Sequence, residues 1–200
     1  DVVDEIVAMG GRAVANTDDV ADWAGAGRLI DTALSEFGSL DVLVNNAGFL
    51  RDRMLANLAE DEWDAVIRVH LKGHFAPLRH AVAYWRAEHK AGRAVDARIV
   101  NTSSGAGLQG SVGQGNYAAA KAGIAGLTLV AASEFASYGV TVNAITPGII
   151  ETDLIDGMPD AKREAYEQFI PMRRFGSPED VAGLVVFLAS EQAAYITGQV

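Results

Sequence analysis

Hydrophobic positions fall into two kinds of block, and the two kinds alternate along the chain. Short apolar runs of strand length, "LDVLVNNAG" (Leu40–Gly48), "ARIVNTSS" (Ala97–Ser104) and "GVTVNAITPG" (Gly139–Gly148), are separated by longer blocks with apolar residues near helical spacing. Those blocks predict helices over Trp23–Phe37, about Glu60–Trp85, Asn116–Tyr138 and Ser177–Ser190. "RAVAN" (Arg12–Asn16) is one more run of strand length, and "DDVAD" after it reads as a turn and helix cap. The opening "DVVDEIVAMGG" predicts the second half of an amphipathic helix closed by Gly10–Gly11, and Gly38 closes the helix that starts at Trp23. Pro77 predicts a kink or local break in its helix. Strands separated by helices of this length imply right-handed crossovers. The expected fold is therefore α/β, a doubly wound parallel sheet in three α/β/α layers, with residues 1–200 forming one domain.

Composition narrows the partners. Sixteen Lys plus Arg against twenty-six Asp plus Glu give a net charge of −10, with no basic run to offset it, which argues against nucleic acid. The absence of cysteine removes disulfides, thiolate metal sites and a cysteine nucleophile, and suits a reducing compartment, the cytoplasm. The longest apolar run, Val181–Ala189, falls short of the roughly 20 residues a membrane helix needs, and the first residues lack the features of a signal peptide.

In open parallel sheets, ligands bind at the carboxyl ends of the strands. The predicted strand ends are "DDV", "NNAG", "NTSSG" and "ITPGIIET", rich in small and hydroxyl-bearing residues that also serve ordinary turns. Just after "NTSSG" comes "NYAAAK", which places Tyr117 and Lys121 four residues apart on one helix face. A phenol ionises near pKa ~10, and an adjacent ammonium would lower that value toward a range useful for acid–base work. An exposed tyrosine beside a solvated lysine would have the same spacing. Ser104, thirteen residues before Tyr117 at a strand end, adds a hydroxyl able to hold a carbonyl or alcohol oxygen while the tyrosine exchanges its proton. Hydride transfer to that carbon would require a cofactor.

The segment "NTSSGAGLQGSVGQGNYAAAKAG" resembles the active site of short-chain dehydrogenases/reductases. "NNAG", "PGIIET" (Pro147–Thr152) and "RFGSPEDVAGLVVFLAS...YITGQ" (Arg174–Gln199) match that family in order, so the resemblance covers essentially the whole chain. It implies Tyr117 as acid/base, Ser104 polarising the substrate oxygen, and Lys121 binding the nicotinamide ribose while lowering the tyrosine pKa. It further implies an NAD or NADP site, with Asp19 and Val20 beside the adenine. Asn45, Ala47 and Gly48 would lie on the adenosine ribose side, and Pro147, Gly148, Ile150 and Thr152 at the nicotinamide. Asn46 would tie neighbouring strands together.

Against that family pattern, the glycine-rich phosphate loop would lie upstream of these residues and a last strand downstream, so the fold is expected to be incomplete at both ends as given. The choice between NAD and NADP would also be made upstream. His70, in "WDAVIRVHLKGHF", stands where most members carry an asparagine that continues a proton relay beyond the lysine. A relay role or a structural one is open to it. His70 and His74 share an i, i+4 spacing, but no glutamate lies between them and no cysteine is near, so no metal site is expected. His74, His80 and His89 are read as helix-surface residues.

"GGRAVANTDDV", "NNAGFLRDRM" and "VHLKGHF" resemble (3R)-hydroxyacyl-CoA dehydrogenase units of multifunctional β-oxidation enzymes, while "PGIIETDL" and "RRFGSPEDVAGLVVFLAS" resemble 3-oxoacyl-carrier-protein reductases. Both imply a small-molecule alcohol or ketone substrate of the 3-oxo/3-hydroxyacyl thioester class. Its specificity would be set by "DLIDGMPDAKREAYEQFIPMRRFG". The apolar helix Asn116–Tyr138 implies a homo-oligomer, a tetramer or a dimer. The alternative is a non-catalytic homologue serving as scaffold or subunit, which the intact Ser104, Tyr117 and Lys121 argue against.

Overall fold

The computed structural model describes residues 2–153, 155 and 157–200. Asp1, in the expected opening helix, and Leu154 and Asp156, in the segment expected to set specificity, lie outside the described residues.

Among the described residues, three parallel strands form the sheet in chain order: β1 (Val42–Asn45), β2 (Ala97–Thr102) and β3 (Val140–Ile145). The register sets Asn45 opposite Asn101, and Asn101 opposite Ala144, so the three carboxyl ends finish side by side. Side chains alternate between the two faces. Leu43, Ala97, Ile99, Val140 and Val142 join one core with residues of the helices that follow β1 and β2. Val100 and Ile145 point the other way, into a smaller core with Leu188 and Ala193. The faces are unequal: Val44, on the second one, is 44% exposed.

Helix α1 (Val2–Ala8) and its Gly10 stop form as expected, although no residue of α1 is buried. Helix α2 (Trp23–Phe37) starts where Asp22 accepts from the Gly25 amide at 2.7 Å and stops at the left-handed Gly38. The expected strand at Arg12–Asn16 does not form, because no ladder partner lies beside it among the described residues. Asn16 instead bonds Asp18 and Thr32, both at 3.1 Å.

The helix expected over about Glu60–Trp85 is α3 (Glu60–Ile67) and α4 (Gly73–Lys90), joined by a π turn at Arg68–Lys72. The break is not at Pro77, which sits inside regular α4; it lies one turn earlier, where the Gly73 amide reaches back to the Arg68 carbonyl. A short helix, α5 (Gly105–Gln109), leads to α6 (Gly115–Phe135). By length and mean hydropathy, Gly115–Tyr138 is long and apolar enough to cross a membrane, although no continuous apolar run within it has that length. Its buried residues are those of a core helix, with Asn116, Lys121 and Thr128 among them. Beyond β3 come α7 (Asp160–Phe169) and α8 (Pro178–Ala189), the latter capped by Ser177. The last residues run along β3, with Gly198 N to Val142 O and Ala144 N to Gln199 O both at 2.8 Å.

Candidate active site

The end of β2 is fixed before any chemistry is placed on it. The Ser103 amide donates to the Ile145 carbonyl, and its hydroxyl donates to the Lys121 carbonyl, both at 2.8 Å. Ser104 follows in extended backbone and caps α5, its Oγ accepting from the Ala106 amide at 3.3 Å. Helix α5 lies against the backbone of α6: a Cβ at Gly107 would stand 2.7 Å from Ala122 N. Asn116 anchors the start of α6. Its Nδ2 donates to the carbonyls of Arg51 (3.1 Å) and Glu62 (3.3 Å), while its Oδ1 accepts from the Tyr117 amide at 2.8 Å.

Tyr117 and Lys121 then face one space. The Lys121 Nζ lies 5.4 Å from the Tyr117 ring centroid and donates to the Thr102 carbonyl at 2.5 Å. Lys121 is only 3% exposed, and burial lowers its pKa to about 8. Tyr117 departs from expectation. Burial pushes its pKa up, opposed by a hydrogen bond with Ser104 and reinforced by Asp52. Lys121 is not among the groups that shift the phenol; its ammonium lies toward the ring and donates to the Thr102 carbonyl. Ser104, Tyr117 and Lys121 are nonetheless brought together, at the carboxyl end of β2.

His70 completes this group. Its ring stands edge-on to Tyr117, 5.1 Å between centroids, and its Nε2 faces the Phe49 carbonyl at 2.8 Å and the Phe49 amide at 3.2 Å. Desolvation, and less strongly the Lys121 charge, lower its pKa. The ring occupies the place a side chain at Gly48 would take: a Cβ there would lie 2.1 Å from His70 Cε1, so glycine is required.

The other expected nucleotide contacts lie along the same strand ends. Asp19 accepts from the Ala21 amide at 2.8 Å and pairs with Arg68, which holds its carboxyl below the usual range. Val20 is half-buried, while Ala47 and Gly48 are exposed. Pro147 and Ile150 are half-buried, and Gly148 and Thr152 exposed. The cross-strand tie expected of Asn46 falls to its neighbour. Asn46 is exposed, and the cross-strand tie is Asn45, whose Nδ2 donates to Asn101 Oδ1 at 3.0 Å and to the His74 carbonyl at 3.3 Å. The pleat decides this, since Asn45 is the residue in step with buried Leu43.

His89 is exposed and His80 half-buried, but His74 is not a surface residue: it is 1% exposed. The readable signal was the four-residue ladder Val66, His70, His74, Leu78, Val82, whose apolar members are all buried. Asn116, Ser103 and Asp52 were also missed, since each acts through a contact distant in sequence.

The whole chain, residues 1–200, matches a family model described as enoyl-(acyl carrier protein) reductase. It is 49% identical to the hydroxyacyl-CoA dehydrogenase ChsB1 of Mycobacterium tuberculosis and 47% identical to a 3-oxoacyl-[acyl-carrier-protein] reductase of Synechocystis. Those alignments cover 100% and 99% of this chain, and 63% and 77% of the relatives. The crystal structure of a short chain dehydrogenase from Mycobacterium avium is similar to it, with 59% identity and a TM-score of 0.84 over 100% of this chain and 64% of that one. This chain belongs to the short-chain dehydrogenase/reductase family. As a short-chain dehydrogenase/reductase it has the parallel sheet that the alternating pattern predicts, and its "NNAG" and Tyr-x-x-x-Lys segments lie at adjoining strand ends.

Proposed function

We propose that this protein is an NAD- or NADP-dependent oxidoreductase that interconverts a secondary alcohol and a ketone. Its substrate would be a 3-oxo/3-hydroxyacyl thioester or a similar hydrophobic molecule. The observation that carries this reading is the meeting of two hydroxyls, Ser104 and Tyr117, with the buried ammonium of Lys121 at the end of β2. The donor set fits a nicotinamide nucleotide: Lys121 offers hydrogens to a ribose, and the exposed backbone at Ala47–Gly48 and Gly148 admits close approach. Asp19, Val20, Asn45, Ala47 and Gly48 would hold its adenosine side, with Pro147, Gly148, Ile150 and Thr152 at the nicotinamide. Asn45 would contribute there through its backbone, since its carboxamide is engaged inside the sheet. When bound, the nucleotide supplies the hydride acceptor or donor.

The protein's own part is proton transfer and orientation. Ser104 holds the substrate oxygen. Tyr117, whose raised pKa keeps it protonated at neutral pH, gives its proton to that oxygen in reduction. Oxidation needs the phenolate, so its rate should climb with pH above neutrality while reduction does not. His70, edge-on to Tyr117, would hold the proton path beyond Lys121. The thioester class follows from the names of the relatives, which act on hydroxyacyl-CoA and 3-oxoacyl-[acyl-carrier-protein]. Exposed Leu129 and Val130 on α6 and Phe75 on α4 support a homo-oligomer, a dimer or tetramer, which light scattering would measure; the cytoplasm is the compartment proposed.

The test is Tyr117→Phe in the full-length protein, followed by nicotinamide absorbance with short 3-oxoacyl thioesters. The expected result is a loss of about 10²–10⁴ in kcat with an unchanged thermal midpoint. Activity within a few-fold of the parent would refute the mechanism.

A further inference from the structure

The mechanism above uses one residue of the π turn, His70, although π turns recur at functional sites as whole units. The two ends of this turn face the segment Asp19–Ala21, expected beside the adenine. Arg68, its first residue, pairs with Asp19, 49 residues away in the chain. Gly73, directly after its last residue, lies against the rest of the segment: a Cβ there would stand 3.1 Å from Val20 Cγ2 and 3.8 Å from Ala21 Cβ. Between these ends His70 meets Phe49 and fills the space beside Gly48, on the neighbouring strand-end loop. One turn of helix thus touches both loops expected to hold the adenosine side of the nucleotide.

The choice of partner is informative. Arg68 has a carboxylate one helical turn before it, Asp64, in the order and spacing that favour an ion pair on a helix. It takes Asp19 instead. The two side chains are 47% and 46% exposed, so the pair adds little to stability. What it fixes is a direction. Asp19 Oδ1 accepts from the Ala21 amide at 2.8 Å and Oδ2 from the Arg68 guanidinium, so the carboxylate is held at both oxygens, and each oxygen retains capacity for one more donor. The Arg68 hydrogen bond also keeps that carboxyl ionised at neutral pH. An ionised carboxylate accepts and cannot donate, so it favours a ring offering an amino group over one offering a carbonyl at the same position.

We propose that Arg68 is a positioning residue for nucleotide recognition: carried on the π turn, it holds the Asp19 carboxylate in the orientation that accepts from the amino group of the adenine. This rests on the oxidoreductase reading above. Arg68 acts through Asp19 and is assigned no contact of its own with the nucleotide. Discrimination of the base, rather than the hold on the rest of the nucleotide, therefore depends on it.

The experiment measures Kd in the full-length protein without substrate, from the fluorescence of the reduced nicotinamide. The probes are NADH or NADPH, whichever the parent binds more tightly, and its hypoxanthine analogue, in which a carbonyl replaces the adenine amino group. The parent should bind the adenine form about tenfold more tightly, and Arg68→Met should cut that preference to about threefold or less through weaker binding of the adenine form. Asp19→Ala should abolish the preference, and adding Arg68→Met to it should change neither Kd by more than about twofold. An unchanged preference in Arg68→Met, an equal loss for both nucleotides, or a further loss in the double variant would overturn the proposal, as would a parent that binds the two forms equally. Each of these leaves the oxidoreductase reading standing, because nucleotide still binds. A full-length parent that binds neither NADH nor NADPH overturns both.

Discussion

Two regions of the protein are built on different principles. The wall formed by the end of β2, α5 and the first turns of α6 is tied by the bonds of Ser103, Asn116 and Lys121, each reaching a distant part of the chain. The region between β3 and α8 hangs from a narrow neck, where Gly176 N meets Ile149 O at 2.9 Å and Glu151 N meets Gly176 O at 2.8 Å. Beyond that neck α7 buries none of its residues, and Phe169 and Met172 are 86% and 72% exposed. Proton transfer requires groups held to fractions of an ångström, whereas selecting a substrate requires apolar surface that can be rearranged without disturbing them.

The sharpest way to break this contrast is at Gly107. A Cβ there would press on Ala122 N and on Lys121 itself, backbone and side chain, at 2.7–2.8 Å, with no flexible side-chain end to yield. Gly107→Ala should push α5 and its cap Ser104 away from α6, lowering kcat by about 10²-fold or more and costing about 1–3 kcal/mol of stability. Gly126→Ala, on α6, meets nothing within 4 Å and should leave activity unchanged while stabilising by about 1 kcal/mol. Denaturant unfolding and steady-state kinetics on both variants decide it, and equal behaviour would show that the wall is not rigid.

Lys121 tests whether the wall stores an energetic cost for function. Its folded pKa, about 8, lies below its ordinary 10.5, so between those values the unfolded chain binds more protons. Stability therefore rises with pH through that window, and below pH 8 the full cost of the buried charge is present. Lys121→Met removes that cost, on the order of 3 kcal/mol, but strands the Thr102 carbonyl, leaving a net gain of about 1 kcal/mol and a few degrees in Tm at pH 7. The gain should shrink from pH 8 to 10.5. A pH-independent difference in Tm would show that Lys121 has the same pKa in the folded and unfolded chains.

The same contrast governs what could be read in the sequence. Periodicity and caps located β1 to β3 and α2, α6 and α8 closely, because Asp22, Gly38 and Ser177 act within their own turns. Ser104, Tyr117 and Lys121 were legible because their spacing is local to one strand end and one helix face. The missing strand at Arg12–Asn16 was not, since strand formation needs a neighbour that local propensity cannot supply. The burial of His74, the tie made by Asn45 in place of Asn46, and the raised pKa of Tyr117 all depend on packing between separate elements. The π turn came one turn ahead of the proline that suggested a break.

The smallest effect is expected in the region beyond the neck, and it sharpens the comparison most finely. Phe169 ends α7 with 86% of its surface in solvent, so Phe169→Ser removes little that folding buries and should move Tm by no more than about 2 °C. If α7 supplies apolar cover to the acyl chain of a substrate, the ring is buried on binding and its loss is felt there. A fully buried Phe is worth about 1.5–3 kcal/mol, and partial cover from an exposed helix end a fraction of that, so KM for a long-chain 3-oxoacyl thioester should rise about three- to tenfold. The KM for a two-carbon-longer homologue of acetoacetyl thioester should change less, because a short chain would not reach the ring. kcat should hold for both, since Tyr117 and Lys121 are fixed by other elements. A fall in kcat with both substrates would mean that α7 supports the catalytic wall, and the division between the two regions would then be wrong.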